Sequence, residues 1–239
     1  MVQSDAKDAI VLVLRKLGAE ALGTFMITAT AISVDVLHFT TGRVEDVSRW
    51  LARGLIAAAV VYAFSGTSGA HANPVVTIAF ALRRIFPVRL TIAYVVAQFA
   101  GAFVAALILW ALFGTHLGFG ASRPGPGFSP IVAMICEVVL TFAFAIVILM
   151  TAQEEAIVGP QAAIAVGFVV AACGFAAGNI SGASMNPARS IAAQMVAGTT
   201  QISWVYAVGP LLGAAIAVFT HDLLAGPPTR AARRAAKGR

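Results

Sequence analysis

Three long stretches of this chain contain no charged residue, and they limit the folds that the chain can adopt. Residues 90–113 form an uncharged run of 24 residues, residues 54–82 one of 29 and residues 190–220 one of 31. Because a helix needs about 20 apolar residues to cross a bilayer, each run can span it, and the two longer runs can hold more than one membrane segment. Charged residues make up 11% of the chain, whereas soluble domains contain about 25%. We therefore expect a membrane protein.

We predict six membrane-spanning helices and two shorter apolar helices. The spans cover residues 11–37, 51–67, 90–113, 131–151, 161–179 and 202–224. The two short segments, 73–82 and 186–196, each begin with Asn-Pro, and proline suits the first turn of a helix because its missing N–H would be unpaired there. A non-helical connection at membrane depth persists only where protein or a water-filled cavity covers it. Two re-entrant half-helices therefore indicate a pore.

The two halves of the chain repeat the same marks in the same order. The repeat pairs Glu20 with Glu137, Gly54 with Gly167, Asn73 with Asn186 and Tyr94 with Tyr206, at offsets of 112 to 117 residues. Each half holds three spans, an odd number, so the halves insert with opposite orientation and their site is expected near the midplane between them. The predicted fold class is an all-α membrane protein with an inverted repeat, over about 11–113 and about 131–224.

The predicted organisation is one transmembrane channel domain over residues 1–224, followed by a basic tail over residues 225–239. In this topology 11 of the 16 Lys and Arg residues lie on the side that holds both termini, and such an excess marks the cytoplasmic side. We therefore expect a multi-pass protein of the inner (plasma) membrane with both termini in the cytoplasm. The tail is expected to be solvated and disordered beside anionic lipid, with no nucleic-acid partner.

Asn73 and Asn186 are expected where the two half-helices meet. An Asn at a helix start can bond the orphan N–H groups of its own first turn, which leaves its amide N–H₂ free to donate into the lumen. The positive ends of two helix dipoles converge at that point, where they oppose cations and protons but not neutral molecules. Taken singly, each Asn would be an ordinary cap, but two such caps in an inverted repeat favour a pore.

These segments resemble the aquaporin (major intrinsic protein) family. The resemblance covers about residues 15–224 and rests on two Ser-Gly-Ala-x-x-Asn-Pro segments, on Asn-Pro-Ala-Arg and on two Glu-x-x-x-Thr-Phe starts. It implies the aquaporin fold, a pore within each monomer and a homotetramer, with no cofactor and no metal. The corresponding pore motifs are Asn73, Pro74 and Val75 in the first half and Asn186, Pro187 and Ala188 in the second. Val75 departs from the family's usual alanine.

The resemblance also implies an outer constriction of four residues. Spacing from the two Asn residues places Arg53, Gly174, Ala183 and Arg189 there. Arg189 matches the family's constriction arginine, which donates hydrogen bonds to solutes and repels cations, and an arginine inside a membrane segment is a functional site by default. Gly174 and Ala183 are expected to leave the wall open. Arg53 stands where the family usually has an aromatic residue, and it either faces the constriction or extends to the membrane interface.

Glu20 and Glu137 are carboxylates inside predicted spans at matching positions of the repeat. A proton relay is one interpretation. The resemblance implies instead that each accepts hydrogen bonds from backbone donors of a re-entrant loop. We favour this structural role, because a buried carboxylate is tolerated only when it is paired.

The predicted function is a passive channel that conducts water and small uncharged solutes and excludes protons and ions. A glycerol or small neutral solute facilitator is the alternative, since Gly174 resembles that branch whereas Ser190 and Tyr206 fit water channels. A coupled transporter also uses inverted repeats, but it would need a titratable or ion-binding residue at the midplane, where this chain offers two amides. A structural junction protein would show negligible flux. An enzyme is disfavoured, because the sequence contains no nucleophile elbow, zinc motif or dinucleotide fingerprint.

Overall fold

The computed structural model describes residues 2–153 and 160–238, and within these ranges the regular structure is helical, without strands. The α-helices are α1 (Val2–Thr41), α2 (Asp46–Ser68), α3 (Pro74–Leu82), α4 (Val88–Phe113), α5 (Pro130–Gln153), α6 (Pro160–Ser181), α7 (Pro187–Ala197), α8 (Ser203–Ala225) and α9 (Arg230–Ala235). The ranges predicted for the channel domain and the tail include residues 1, 154–159 and 239, which lie outside the described residues.

Five helices, α2, α4, α5, α6 and α8, are long and apolar enough to cross a membrane. The sixth predicted span lies within α1, which is not one of these five. α1 packs against α2 and α4 in the same way as α5 packs against α6 and α8. It therefore occupies in the first half the place that α5 takes in the second, and each half of the repeat has three long helices and one half-helix.

The two halves meet where α2 packs against α6. A Cβ atom on Gly54 would lie 2.5 Å from the carbonyl oxygen of Gly167, and a Cβ atom on Gly167 would lie 2.8 Å from that of Gly54. Any side chain at either position would force the helices apart, because real Cβ atoms do not approach so closely. Gly54 and Gly167, which occupy equivalent positions in the sequence repeat, therefore contact each other where the two halves meet.

The short helices α3 and α7 are the two half-helices, and they begin at the centre of the molecule and end on opposite sides. α3 leads to Arg83, whose Nε donates to Asp222 at the C-terminal end of α8 at 2.9 Å. α7 carries Gln194, which accepts from the hydroxyl of Ser203 at the N-terminal end of α8 at 2.7 Å. We call the Asp222 end of the molecule the tail side and the Ser203 end the linker side, after the connection between α4 and α5.

The C-terminal segment does not behave as the sequence analysis expects. Its basic composition predicts a solvated, disordered tail, but Arg230–Ala235 forms α9, which contacts α5. Ala231, Ala232 and Ala236 are buried, with 3%, 0% and 0% of their surfaces exposed. The expectation of disorder was wrong because alanines at helical spacing make an apolar face between the arginines, and that face has a surface to pack on.

Candidate pore and outer constriction

One buried carboxylate holds the first re-entrant loop. Glu20 Oε1 accepts the hydroxyl of Ser68 at 2.6 Å and the backbone N–H of His71 at 3.0 Å, and Oε2 accepts the N–H of Ala72 at 2.7 Å. Oε2 also accepts the side-chain amide of Gln98 on α4 at 2.7 Å. The carboxylate has no exposed surface, and these four donors provide the pairing that a buried charge requires.

Glu137 does the same for the second loop. Its Oε1 accepts from the hydroxyl of Ser181 and from the N–H of Ser184, and its Oε2 accepts from the N–H of Met185, each at 2.8 Å. The repeat also explains the tyrosine pair. The hydroxyls of Tyr94 and Tyr206 donate to the carbonyls of Ser68 and Ser181, at 2.8 and 2.7 Å.

The two loops adopt left-handed backbone conformations at the same three positions. The φ angles are +92° at Gly69, +49° at Ala70 and +43° at Ala72, and +87° at Gly182, +41° at Ala183 and +52° at Met185. A non-glycine residue in this region costs of order 1–3 kcal/mol and persists only where its surroundings determine it. Here the hydrogen bonds from the loop N–H groups to Glu20 and Glu137 hold the backbone in this conformation.

Asn73 and Asn186 cap the two half-helices and bind them to each other. Asn73 Oδ1 accepts the N–H of Val75 at 3.0 Å, and Asn186 Oδ1 accepts that of Arg189 at 3.3 Å. Each amide donates across the centre, Asn73 to the carbonyl of Met185 at 2.7 Å and Asn186 to that of Ala72 at 3.0 Å. An amide has two N–H donors. In each asparagine, one N–H is therefore used to join the loops and the other remains for the lumen. The sequence had predicted that both N–H groups of each amide would be free for the lumen.

The remaining motif residues pack behind the two asparagines. Pro74 and Pro187 begin α3 and α7 and are buried. Val75 is fully buried in the main hydrophobic core, and Ala188 packs with Ala102 on α4. The bulk of Val75 is accommodated, because the bonds between the two loops are made beside it.

A cavity of about 60 Å³ lies where the half-helices meet, and its lining includes Asn73, Asn186, His71 and Phe144. One water needs about 10–15 Å³, so the cavity has room for a short file of waters. On the tail side, a cavity of about 220 Å³ shares His71 with it. On the linker side, a cavity of about 470 Å³ is lined by Asp35 and Gly182. The central cavity is thus joined to the tail-side cavity through His71, and the linker-side cavity begins at Gly182, the residue before Ala183 of the central cavity.

Arg189 and Ala183 line the central cavity on its linker side. Arg189 Nη1 donates to the hydroxyls of Ser122 and Ser190. Its Nη2 has no hydrogen-bond partner in the part of the chain that the structure describes and lies 3.9 Å from Asp35 Oδ2. Only 4% of the residue surface is exposed. Arg189 therefore presents one unpaired donor at a buried position.

Arg53 also lines this cavity and is buried, so it does not extend to the membrane interface. Its Nη1 donates to the carbonyl of Gly182 at 2.8 Å, its Nη2 is paired with Asp35 Oδ2, and its Nε has no partner among the described residues. Asp35 was not predicted from the sequence as part of this site. An isolated acidic residue inside a predicted span is itself a functional signal and could have marked it.

Gly174 does not open the wall as the sequence analysis expects. It faces Trp50 on α2, and a Cβ atom on Gly174 would lie 2.7 Å from the Trp50 ring. Gly178 faces the same ring, and a Cβ atom on Gly178 would lie 2.2 Å from it. The indole fills the space left by both glycines, and the guanidinium of Arg53 stacks on it with Cζ 4.5 Å from a ring centroid. An aromatic residue therefore stands beside the constriction, three positions before the one that spacing indicated.

The fold, together with the cavities on both sides of the two asparagines, defines a multi-pass helical membrane protein of the channel-forming, inverted-repeat type. Within the ranges described, no group of three or more His, Cys, Asp or Glu side chains is arranged to hold a metal ion. Residues 8–221 match the family model described as "Major intrinsic protein". The chain belongs to the major intrinsic protein family.

Individual relatives agree with this assignment. The chain is 38% identical to the putative aquaporin NIP4-1 of Arabidopsis thaliana, over 90% of this chain and 76% of that protein. It is 37% identical to aquaporin NIP1-4 of Oryza sativa subsp. japonica, over 88% of this chain and 77% of that protein. Its fold is similar to that of the aquaglyceroporin from Plasmodium falciparum, with a TM-score of 0.80 at 23% identity, over 89% of this chain and 96% of that one.

Proposed function

We propose that this protein is a passive membrane channel that conducts water and small uncharged solutes and excludes protons and ions. The proposal is supported above all by the crossed bonds of Asn73 and Asn186. Each amide is fixed by its own helix and by the opposite loop, and both residues line the narrow central cavity, so the remaining N–H of each amide is available to a molecule there. A water oxygen there accepts from the amides, while two converging helix N-termini repel cations and protons.

The outer constriction is formed, in this proposal, by Arg53, Arg189 and Ala183. Trp50 fills the space beside Gly174, which removes the main argument for a wide, glycerol-type mouth. Guanidinium groups offer several fixed donors and no acceptor. The constriction is therefore suited to neutral solutes that carry a hydroxyl or carbonyl oxygen and are small enough to pass.

The proposed setting is the inner (plasma) membrane, with the tail side in the cytoplasm and four copies in a homotetramer. The excess of Lys and Arg on the tail side supports this orientation. The family relationship of the chain supports the tetramer and a function without covalent chemistry. Water, small neutral solutes and lipid are the only partners proposed.

Stopped-flow light scattering on proteoliposomes tests this function. Vesicles containing the protein should shrink and swell faster than empty vesicles under gradients of water, and of glycerol or urea to a smaller extent. An internal pH dye should report no added proton leak, and a protonophore should leave solute flux unchanged. Flux that collapses with the protonophore would identify a coupled transporter, and vesicles no faster than empty ones would contradict a channel.

A further inference from the structure

The acidic residue Asp35 connects the guanidinium groups at the linker side of the central cavity. Its Oδ2 pairs with Arg53 Nη2 and lies 3.9 Å from Arg189 Nη2, and its Oδ1 accepts Arg49 Nε at 3.0 Å. The side chain of Asp35 is 8% exposed, and those of Arg53 and Arg189 are 7% and 5% exposed. Two guanidinium groups so close repel each other, and Asp35 is the carboxylate placed between them.

We propose that Asp35 is a specificity-determining residue, which holds the Arg53 side chain across the mouth of the pore, opposite Arg189, and so sets the width that a passing solute meets. Asp35 is a positioning residue, because it acts through Arg53. The inference rests on the proposed channel function. The solutes concerned are neutral molecules with hydroxyl or carbonyl oxygens. Asp35 uses its own oxygens on arginines, so its carboxylate offers such solutes no free acceptor.

The physical consequence of losing Asp35 follows from this arrangement. Without its carboxylate, Arg49, Arg53 and Arg189 repel one another with no acid between them, and Arg53 Nη2 loses the acceptor that holds it across the mouth. The mouth then widens and one fixed donor is lost. Larger solutes gain passage relative to water, because water already fits the narrow opening.

The test compares Asp35→Asn, Arg53→Ala and the double variant in proteoliposomes, by the ratio of glycerol permeability to water permeability. This ratio does not depend on how much protein is reconstituted. Asp35→Asn should raise it about tenfold, the effect of losing one charged hydrogen bond. The double variant should match Arg53→Ala alone, since Asp35 then has no Arg53 to hold. Asp35→Glu, which keeps the charge, should restore most of the wild-type ratio.

The matched control is Asp8→Asn. Asp8 lies on the same helix, α1, but it is exposed and lines none of the three cavities. This control removes the same charge and should leave the ratio unchanged. An unchanged ratio in Asp35→Asn, or a further rise in the double variant beyond Arg53→Ala, would overturn the proposal. If Asp35→Asn does not fold, the double variant can replace it, because it loses one charge of each sign. A wild-type permeability ratio in the double variant would also overturn the proposal. Wild-type vesicles that conduct nothing would instead refute the channel itself.

A second and independent observation concerns the tail-side mouth. The carbonyl of Ala236, just after α9, lies 3.0 Å from His71 Nε2, and that of Lys237 accepts from Lys16 Nζ. His71 lines both the central and the tail-side cavity. A Cβ atom on Gly69 would lie 2.7 Å from the Ala235 carbonyl, so the tail touches the re-entrant loop itself.

The segment before α9 is anchored on the same side. Thr229 Oγ1 donates to the carbonyl of Gln153 at 2.9 Å, Gln153 Nε2 donates to that of Pro227 at 3.0 Å, and Arg83 Nη2 donates to that of Gly226 at 3.0 Å. These bonds direct the chain back over the mouth after α8 has left the membrane. The buried alanines of α9 then pack against the apolar wall.

We infer that residues 226–238 narrow the tail-side mouth of the pore, so that the full-length protein conducts water more slowly than its pore allows. This inference also rests on channel function. Deleting residues 228–239 should raise water permeability per protein several-fold, because nothing then covers His71. Ala232→Glu places a charge at a fully buried position of α9 and should do the same. Arg233→Glu, on the exposed face of the same helix, should not.

The measurement is the water permeability of proteoliposomes, normalised to protein content, together with limited proteolysis of the tail. Ala232→Glu should make the tail protease-sensitive and Arg233→Glu should not. Equal permeability of the full-length and truncated proteins, with both faster than empty vesicles, would overturn this inference while leaving the channel intact. Absence of conduction in both would count against the channel itself.

Discussion

The side-chain amide of Asn186 donates to the main-chain carbonyl of Ala72, on the opposite half of the molecule, at 3.0 Å. Asn73 makes the reciprocal bond to Met185. Each re-entrant loop therefore holds the tip of the other, and the two helix N-termini cannot separate without breaking both bonds. This reciprocal lock positions the donors of the central cavity.

Asn186→Asp should lower water permeability by about fivefold to a hundredfold, which corresponds to a lost buried hydrogen bond of about 1–3 kcal/mol. A carboxylate cannot donate to the Ala72 carbonyl, and its negative charge at the focus of two helix dipoles attracts cations. Proton leak, measured with an internal pH dye, should therefore increase. Gln201→Glu, the same exchange of amide for carboxylate at an exposed position, is the control. Unchanged flux and exclusion in a folded Asn186→Asp protein would contradict the mechanism.

Arg53→Ala should widen the outer mouth and raise the ratio of glycerol to water permeability, by about tenfold for one lost charged hydrogen bond. The ratio is read from stopped-flow shrinkage and reswelling of the same vesicles. Arg43→Ala removes an exposed arginine on the same side and should leave it unchanged. If the ratio of Arg53→Ala equals that of the wild type at normal oligomer yield, Arg53 has no part in selectivity.

Glu137→Gln should destabilise the protein by about 1–3 kcal/mol, because the amide N–H₂ then faces a backbone donor that needs an acceptor. The loss should appear as a lower midpoint of thermal unfolding in detergent. Glu45→Gln, at an exposed position, serves as the comparison. The proton permeability of Glu137→Gln vesicles should equal that of wild-type vesicles, and a fall in proton permeability would support the proton-relay interpretation instead.

Both termini should lie in the cytoplasm. The expectation follows from six spans and from the Lys and Arg residues on the tail side. A reporter fused after Arg239 and a second one inserted in the linker between α4 and α5 provide the measurement. Activity of the C-terminal reporter in the periplasm, or of the linker reporter in the cytoplasm, would reverse the topology.

Many features of this architecture could be predicted from short segments of the sequence. Charge-free runs indicate the membrane segments, and Asn-Pro after a Ser-Gly-Ala turn marks each half-helix. The repeat of Glu20 and Glu137 places one carboxylate per loop, and the bonds of both to backbone N–H groups are present in the structure. These signals could be read from the sequence because each depends on residues within one segment, or on a comparison of two segments.

Only the tertiary structure decided what stands beside the pore. Helices that are apolar on every side carry little periodicity to indicate which face meets which neighbour. The sequence therefore did not pair Asp35 on α1 with Arg53 on α2, and it did not place the Trp50 ring in the space beside Gly174. The contact between Ala236 and His71 joins residues 165 positions apart. The basic composition of that tail predicted a solvated segment. The sequence could not correct this, because an alanine face is buried only where the folded chain provides a surface for it.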